Sequence, residues 1–106
     1  MQSLPQRGEA WFADFGMAGK PRWTLVVARK SDARLAVATV LLITTQFSGT
    51  PYEVSLPRVP WLREQSYVNA QSIQPVRLTE FVRKAPGQFD ASVLASVWDA
   101  LKRWLV

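Results

Sequence analysis

Arg22 stands at the head of the apolar stretch Trp23-Thr24-Leu25-Val26-Val27, and Thr44-Thr45-Gln46 closes a second apolar stretch that runs through Leu41-Leu42-Ile43. A guanidinium presents a rigid fork of donors that matches phosphate oxygens, and a threonine hydroxyl donates at close range, so the pairing suits an anion site. An arginine at a strand edge with threonines chosen for β-propensity is the plainer reading of the same residues. The chain has no histidine and no cysteine. Disulfides, thiolate nucleophiles, Cys-based metal sites, the commonest metal ligand and the usual acid/base group near neutral pH are therefore all excluded. No metal or cofactor is expected, and any chemistry must run on Arg, Lys, Asp, Glu, Ser, Thr or Tyr.

The elements that must carry these residues follow from hydrophobic period. Trp11, Ala13 and Phe15 alternate along a strand over 9–15, and Gly16 and Gly19 mark the loop that leads to Lys20-Pro21. Strands over 23–28 and 35–45 are separated by the short polar stretch Arg29-Lys30-Ser31-Asp32, which predicts a hairpin. A turn over 47–51 precedes a short strand over 52–56, and two prolines and Trp61 make 57–65 an irregular crossing segment. Segments 67–76 and 81–84 are two further strand candidates. The chain then changes period. Asp90 is placed to cap a helix with Phe89 and Leu94 as a hydrophobic staple, and Val93, Leu94, Val97, Trp98, Leu101, Trp104 and Leu105 fall within about 140° of one face. That face is expected to pack on the sheet, with Trp11, Trp98 and Trp104 in the core. Short strands plus one terminal helix predict a mainly β protein, a small curled antiparallel sheet or barrel.

With 106 residues and no shift in composition, one domain spanning 1–106 is expected. Thirteen Lys and Arg against eight Asp and Glu give a net charge of +5, which favours a polyanionic partner. The longest largely apolar run, 35–43, is about half a membrane span, and the N-terminus lacks a signal-peptide core, so a cytoplasmic chain with no membrane role is the default.

Taken in order, Arg7-Gly8-Glu9-Ala10-Trp11, Asp14-Phe15-Gly16, Gly19-Lys20-Pro21-Arg22, Leu25-Val26-Val27, Ile43-Thr44-Thr45-Gln46, Gly49-Thr50-Pro51-Tyr52-Glu53-Val54 and Ser66-Tyr67-Val68-Asn69 resemble the MazF/PemK family of toxins from bacterial toxin–antitoxin modules. The resemblance runs from about Arg7 to the final helix. It implies an SH3-like barrel of the MazF/CcdB/PemK type that forms a homodimer, cleaves single-stranded RNA, usually messenger RNA, at short sequences, and is neutralised by a cognate acidic antitoxin. It also implies that Arg22 and Thr44 are the catalytic residues. Most members carry Pro after that Arg where this chain has Trp23, a change that frees φ and alters the loop. Some carry a carboxylate in the loop before the Arg. Here 16–21 holds none, so Glu9, Glu53 or no carboxylate takes the role.

Metal-independent RNA cleavage needs the 2′-hydroxyl activated, the phosphorane charge neutralised and the 5′-oxygen protonated. Arg22 suits the second task, holding a dianionic phosphorane better than the ground-state diester, and Thr44 can donate to a non-bridging oxygen. Arginine hardly deprotonates, so it is poorly matched to proton transfer, which stays unassigned. Lys20 and Lys30 are placed to track an RNA backbone, and Thr45 sits beside Thr44. Gln46 either reads a base edge or caps a strand end. Trp23 stacks on a base if it lies in a loop with Arg22, whereas strand alternation would turn it to the opposite face. Two rival readings are a non-catalytic nucleic-acid-binding or gyrase-poisoning protein of the same superfamily, and a degraded toxin that only binds antitoxin.

Overall fold

A computed structural model describes residues 4–16, 19–30, 34 and 36–106. Positions 31 and 32 of the expected hairpin connection, the strand start at Leu35 and loop positions 17 and 18 lie outside these. Among the described residues, seven strands and one α-helix follow in order: β1 (Ala10–Ala13), β2 (Arg22–Ala28), β3 (Val37–Thr44), β4 (Glu53–Ser55), β5 (Tyr67–Asn69), β6 (Gln74–Arg77), β7 (Phe81–Lys84) and α1 (Ala91–Leu105). Every pairing is antiparallel, in the order β4-β5-β3-β2-β1-β7, and β6 also pairs with β3. The mainly β architecture with a terminal helix is the one the sequence predicts. No helix among the described residues is long and apolar enough to cross a membrane.

Period-two alternation buries both faces of the central strands. Along β2, Leu25 and Val27 join one apolar cluster with Ala10, Leu41 and Ile43, against which Trp98 and Leu101 of α1 pack. Val26 points the other way, into a second cluster with Trp11, Ala13, Val40 and Val76, flanked by Phe15 and Phe81. Breaks in register at Val26/Ala28 against β3 and at Phe12/Ala13 against β7 help the sheet to curl.

The sequence suggested one strand over 67–76, and the structure has two with a corner between them. Asn69 Oδ1 accepts the Gln71 amide at 2.9 Å, which closes a 3-10 turn over Ala70–Ser72. Ser72 Oγ donates to the Asn69 carbonyl at 2.6 Å and accepts the Leu42 amide at 2.8 Å. The chain thus pairs β5 with the end of β3 (Ile43↔Val68) and β6 with its beginning (Val40↔Gln74). Pro75, which has no amide to donate, is tolerated because β6 pairs only with β3 among the described strands.

Two expectations for the helix need correction. Asp90 occupies the N-cap, but its side chain makes no capping bond; its carbonyl accepts the Leu94 amide at 3.0 Å, and buried Phe89 with Leu94 anchors the first turn. Trp104 is 42% exposed rather than core, with its ring edge-on against Tyr52 at 5.3 Å. Arg103 donates to the Pro51 carbonyl at 2.9 and 3.2 Å, tying the last helical turn to the loop before β4.

Candidate active site

The ladder between β2 and β3 has its last pair at Thr24↔Leu42. Two residues further along each strand, on the same face, stand Arg22 and Thr44. The strands carry them past the final ladder pair, so backbone hydrogen bonding no longer fills the gap between them. A cleft of about 440 Å³ opens over this fork, walled by Pro21, Arg22, Trp23, Ile43, Thr44 and Thr45, by 61–64 and Ser66, and by Phe12 and Arg83.

Thr44 Oγ1 accepts the Gln46 amide at 3.1 Å, which holds the hydroxyl in place and leaves its proton free to be donated. The next hydroxyl inward, Thr24 Oγ1, is fully buried and donates to the Trp11 carbonyl at 2.8 Å, so it serves the sheet. Arg22, Arg63 and Arg83 line the cleft with one carboxylate among the described residues, Glu64, and three cations against one anion favour a polyanionic ligand.

The structure therefore brings Arg22, Thr44, Thr45 and Trp23 together. It leaves Lys20 and Gln46 off the walls of this cleft. Lys20 lines an adjoining depression that shares Arg22 and includes Phe15, Leu42 and Gln74. Gln46 is exposed, and its backbone, not its side chain, makes the strand-end bond to Thr44. Lys30 is exposed at the far end of β2.

For Trp23 the structure meets the condition that separates it from Arg22. The strand has already begun at Arg22, Trp23 pairs with Phe12 across β1·β2, and alternation sends its ring to the apolar cluster that includes Ile43. There it lies 5.3 Å from the Phe12 ring and 4.7 Å from the Trp61 ring. The Arg83 guanidinium sits 4.9 Å over Phe12 and 5.4 Å from Trp23. Trp23 still borders the cleft because the cleft straddles the open end of the fork, where side chains from both faces reach the rim.

The two carboxylates weighed from the sequence are committed elsewhere. Glu9 accepts from Trp11 Nε1 at 3.0 Å and the Gln6 amide at 2.8 Å, and pairs with Lys84 Nζ at 2.8 Å. Burial pushes its carboxyl up, but Lys84, Trp11 and the Gln6 amide together outweigh this and hold it below the ordinary value. Glu53 accepts the Ser48 and Thr50 amides at 2.9 and 2.8 Å and the Thr50 hydroxyl at 2.9 Å. Those bonds, the Ser48 amide foremost, keep it low as well. Neither residue lines the cleft.

Sequence reasoning missed Trp61, Arg63, Glu64 and Arg83. They come from an irregular segment and an edge strand whose period carries no functional signal. It also missed Phe47, 56% exposed and stacked on Tyr67 at 4.7 Å and 23°, next to the Thr44↔Tyr67 pair.

The structure resembles a mycobacterial endoribonuclease solved in complex with its cognate antitoxin, at 24% identity and TM-score 0.79 over 95% of this chain and 94% of that one. It also resembles MazF of Deinococcus radiodurans (23%, TM-score 0.78, 98% of each chain) and the Mycobacterium tuberculosis toxin MazF-mt6 (24%, TM-score 0.78, 92% of this chain and 95% of that one). No curated protein is matched by sequence. The family model of PemK-like, MazF-like toxins of type II toxin–antitoxin systems matches residues 6–105, and the chain belongs to that family.

Proposed function

We propose that this toxin is a sequence-preferring, metal-independent endoribonuclease acting on single-stranded RNA, messenger RNA included, as a homodimer restrained by an acidic antitoxin. The observation that carries the reading is the placement of Arg22 and Thr44 on one face of an unladdered strand fork, in a cleft with two further guanidiniums. Arg22 neutralises the charge that develops on the phosphorane, and Thr44 donates to a non-bridging oxygen. Both interactions are stronger in the transition state than with the diester, which is what lowers a barrier. Thr45 and the rim of Trp23 contact the nucleotides beside the scissile phosphate, with Lys20 and Gln46 at the margins of the path. Exposed Phe47 offers a further stacking face. The structural relatives described as endoribonucleases, one of them held by its antitoxin, support the same reading.

The test is expression in bacteria and cleavage of a long transcript by purified protein in the presence of a chelator. Arg22→Ala and Thr44→Ala are expected to abolish growth inhibition and to slow cleavage by orders of magnitude while leaving fold and dimer intact. Arg22→Lys should rescue only in part, since a point charge replaces a bidentate fork. Near wild-type cleavage by either alanine variant would remove the assignment, and gyrase inhibition without RNA cleavage would favour the DNA-directed alternative.

A further inference from the structure

The proposed site has two groups suited to charge and none yet suited to moving a proton. Arg22 cannot act as a base at physiological pH, and the chain has no histidine. Among the described carboxylates, Glu9 and Glu53 are held by the bonds given above, Asp14 accepts the Gly16 amide at 2.9 Å and Glu80 the Arg77 amide at 2.9 Å. Asp90 and Asp99 belong to α1 and its cap, away from the cleft. Glu64 is the one carboxylate on the cleft wall among the described residues.

Its position is built rather than incidental. Leu62 and Ser66 on either side are buried, while Glu64 itself is exposed to the cleft. Ser66 Oγ donates to the Glu64 carbonyl at 2.9 Å, Gln65 Nε2 to the Leu56 carbonyl at 2.7 Å, and the Arg58 guanidinium to the Arg63 carbonyl at 3.1 Å. These bonds tie down the backbone of the segment, and Glu64 lines a cleft whose other charged walls are Arg22, Arg63 and Arg83.

We propose that Glu64 is the general base of this toxin, a role that rests on the endoribonuclease reading and supplies the proton acceptor that reading lacks. The Glu64 carboxylate takes the 2′-hydroxyl proton as the 2′-oxygen bonds to phosphorus. The bond from phosphorus to the 5′-oxygen breaks, and that oxygen takes a proton from water. The products are a 2′,3′-cyclic phosphate and a 5′-hydroxyl, and the Glu64 carboxylic acid returns its proton to the hydroxide so formed. Arg22 and Thr44 hold the phosphorane throughout.

The experiment maps one cleavage site of the wild type on a long transcript. It then measures kcat and KM on an oligonucleotide spanning that site from pH 4 to 9, with chelator, for the wild type, Glu64→Gln and Glu64→Asp. Glu64→Gln is expected to lower kcat about 10²–10⁴-fold with KM little changed and to lose the acidic limb of the wild-type profile. Glu64→Asp should keep that limb at a reduced rate. Because Glu64 is exposed, melting temperatures of both variants should match the wild type. Wild-type cleavage with Glu64→Gln within fivefold of it, or a rise in KM alone, overturns the proposal and leaves the endoribonuclease reading standing. Failure of the wild type to cleave any transcript overturns both.

Discussion

Truncating Trp23 to alanine separates a residue that supports the cleft from one that merely hangs over it. The ring is half-buried and meets Phe12 at 5.3 Å and Trp61 at 4.7 Å, and Trp61 in turn meets buried Phe89 at 5.6 Å. A fully buried Trp→Ala change costs about 3–5 kcal/mol, so a half-buried ring gives about 2–3 kcal/mol. That range includes the loss of two aromatic pairs of roughly 0.5–1.5 kcal/mol each. In a domain near 100 residues each kcal/mol moves Tm by about 4–8 °C, which puts the expected fall at roughly 10–20 °C. Trp23→Phe keeps one ring in the cluster and should recover much of the loss. Thermal unfolding followed by circular dichroism measures this, and RNA affinity per folded molecule, read in parallel, reports base stacking, whose loss weakens binding by about 1–3 kcal/mol. A Tm within 3 °C of wild type would refute the packing argument, since it would mean that Phe12 and Trp61 gain nothing from the ring between them.

Other perturbations read other parts of the structure. Glu9→Gln should cost about 1–2 kcal/mol at pH 7, less than a fully buried charged hydrogen bond because its partner Lys84 is 40% exposed. Since the folded carboxyl lies below its ordinary value of 4.5, its contribution is present above that pH and lost as pH falls through the depressed folded value. The Tm gap between Glu9→Gln and wild type should therefore close below about pH 4.5, and a gap independent of pH would contradict this. Ser72→Ala removes the hydroxyl that accepts the Leu42 amide at 2.8 Å and should cost about 1–2 kcal/mol in urea unfolding. An unchanged midpoint would show that water replaces it.

What the sequence disclosed and what it hid divide along physical lines. Alternation in Trp11, Ala13 and Phe15 and the apolar, β-branched run over 23–28 are local patterns, and they located β1 and β2; that β2 is buried on both faces came from the structure. The corner at 69–72 was invisible because Asn69 and Ser72 act through a bond to Leu42, 30 positions away in sequence from Ser72. Arg22 and Thr44 were recognisable as chemistry, yet their shared face depends on the β2·β3 register, which no local pattern states. Arg63, Glu64 and Arg83 reach the cleft only because an irregular segment and an edge strand fold over the fork. Trp104 lies on the apolar side of α1, but periodicity alone does not report which positions on that side become buried.

Under the proposed function, Arg22 and Thr44 act on one phosphate. A double-mutant cycle on kcat/KM for RNA cleavage, using Arg22→Ala, Thr44→Ala and the pair together, measures it directly. Two groups holding the same phosphorane oxygens should be strongly non-additive, with the double variant no more than a few-fold slower than the worse single one. Losses that multiply in full would place them in separate functions, and a double variant that still cleaves at the wild-type rate would contradict the site altogether.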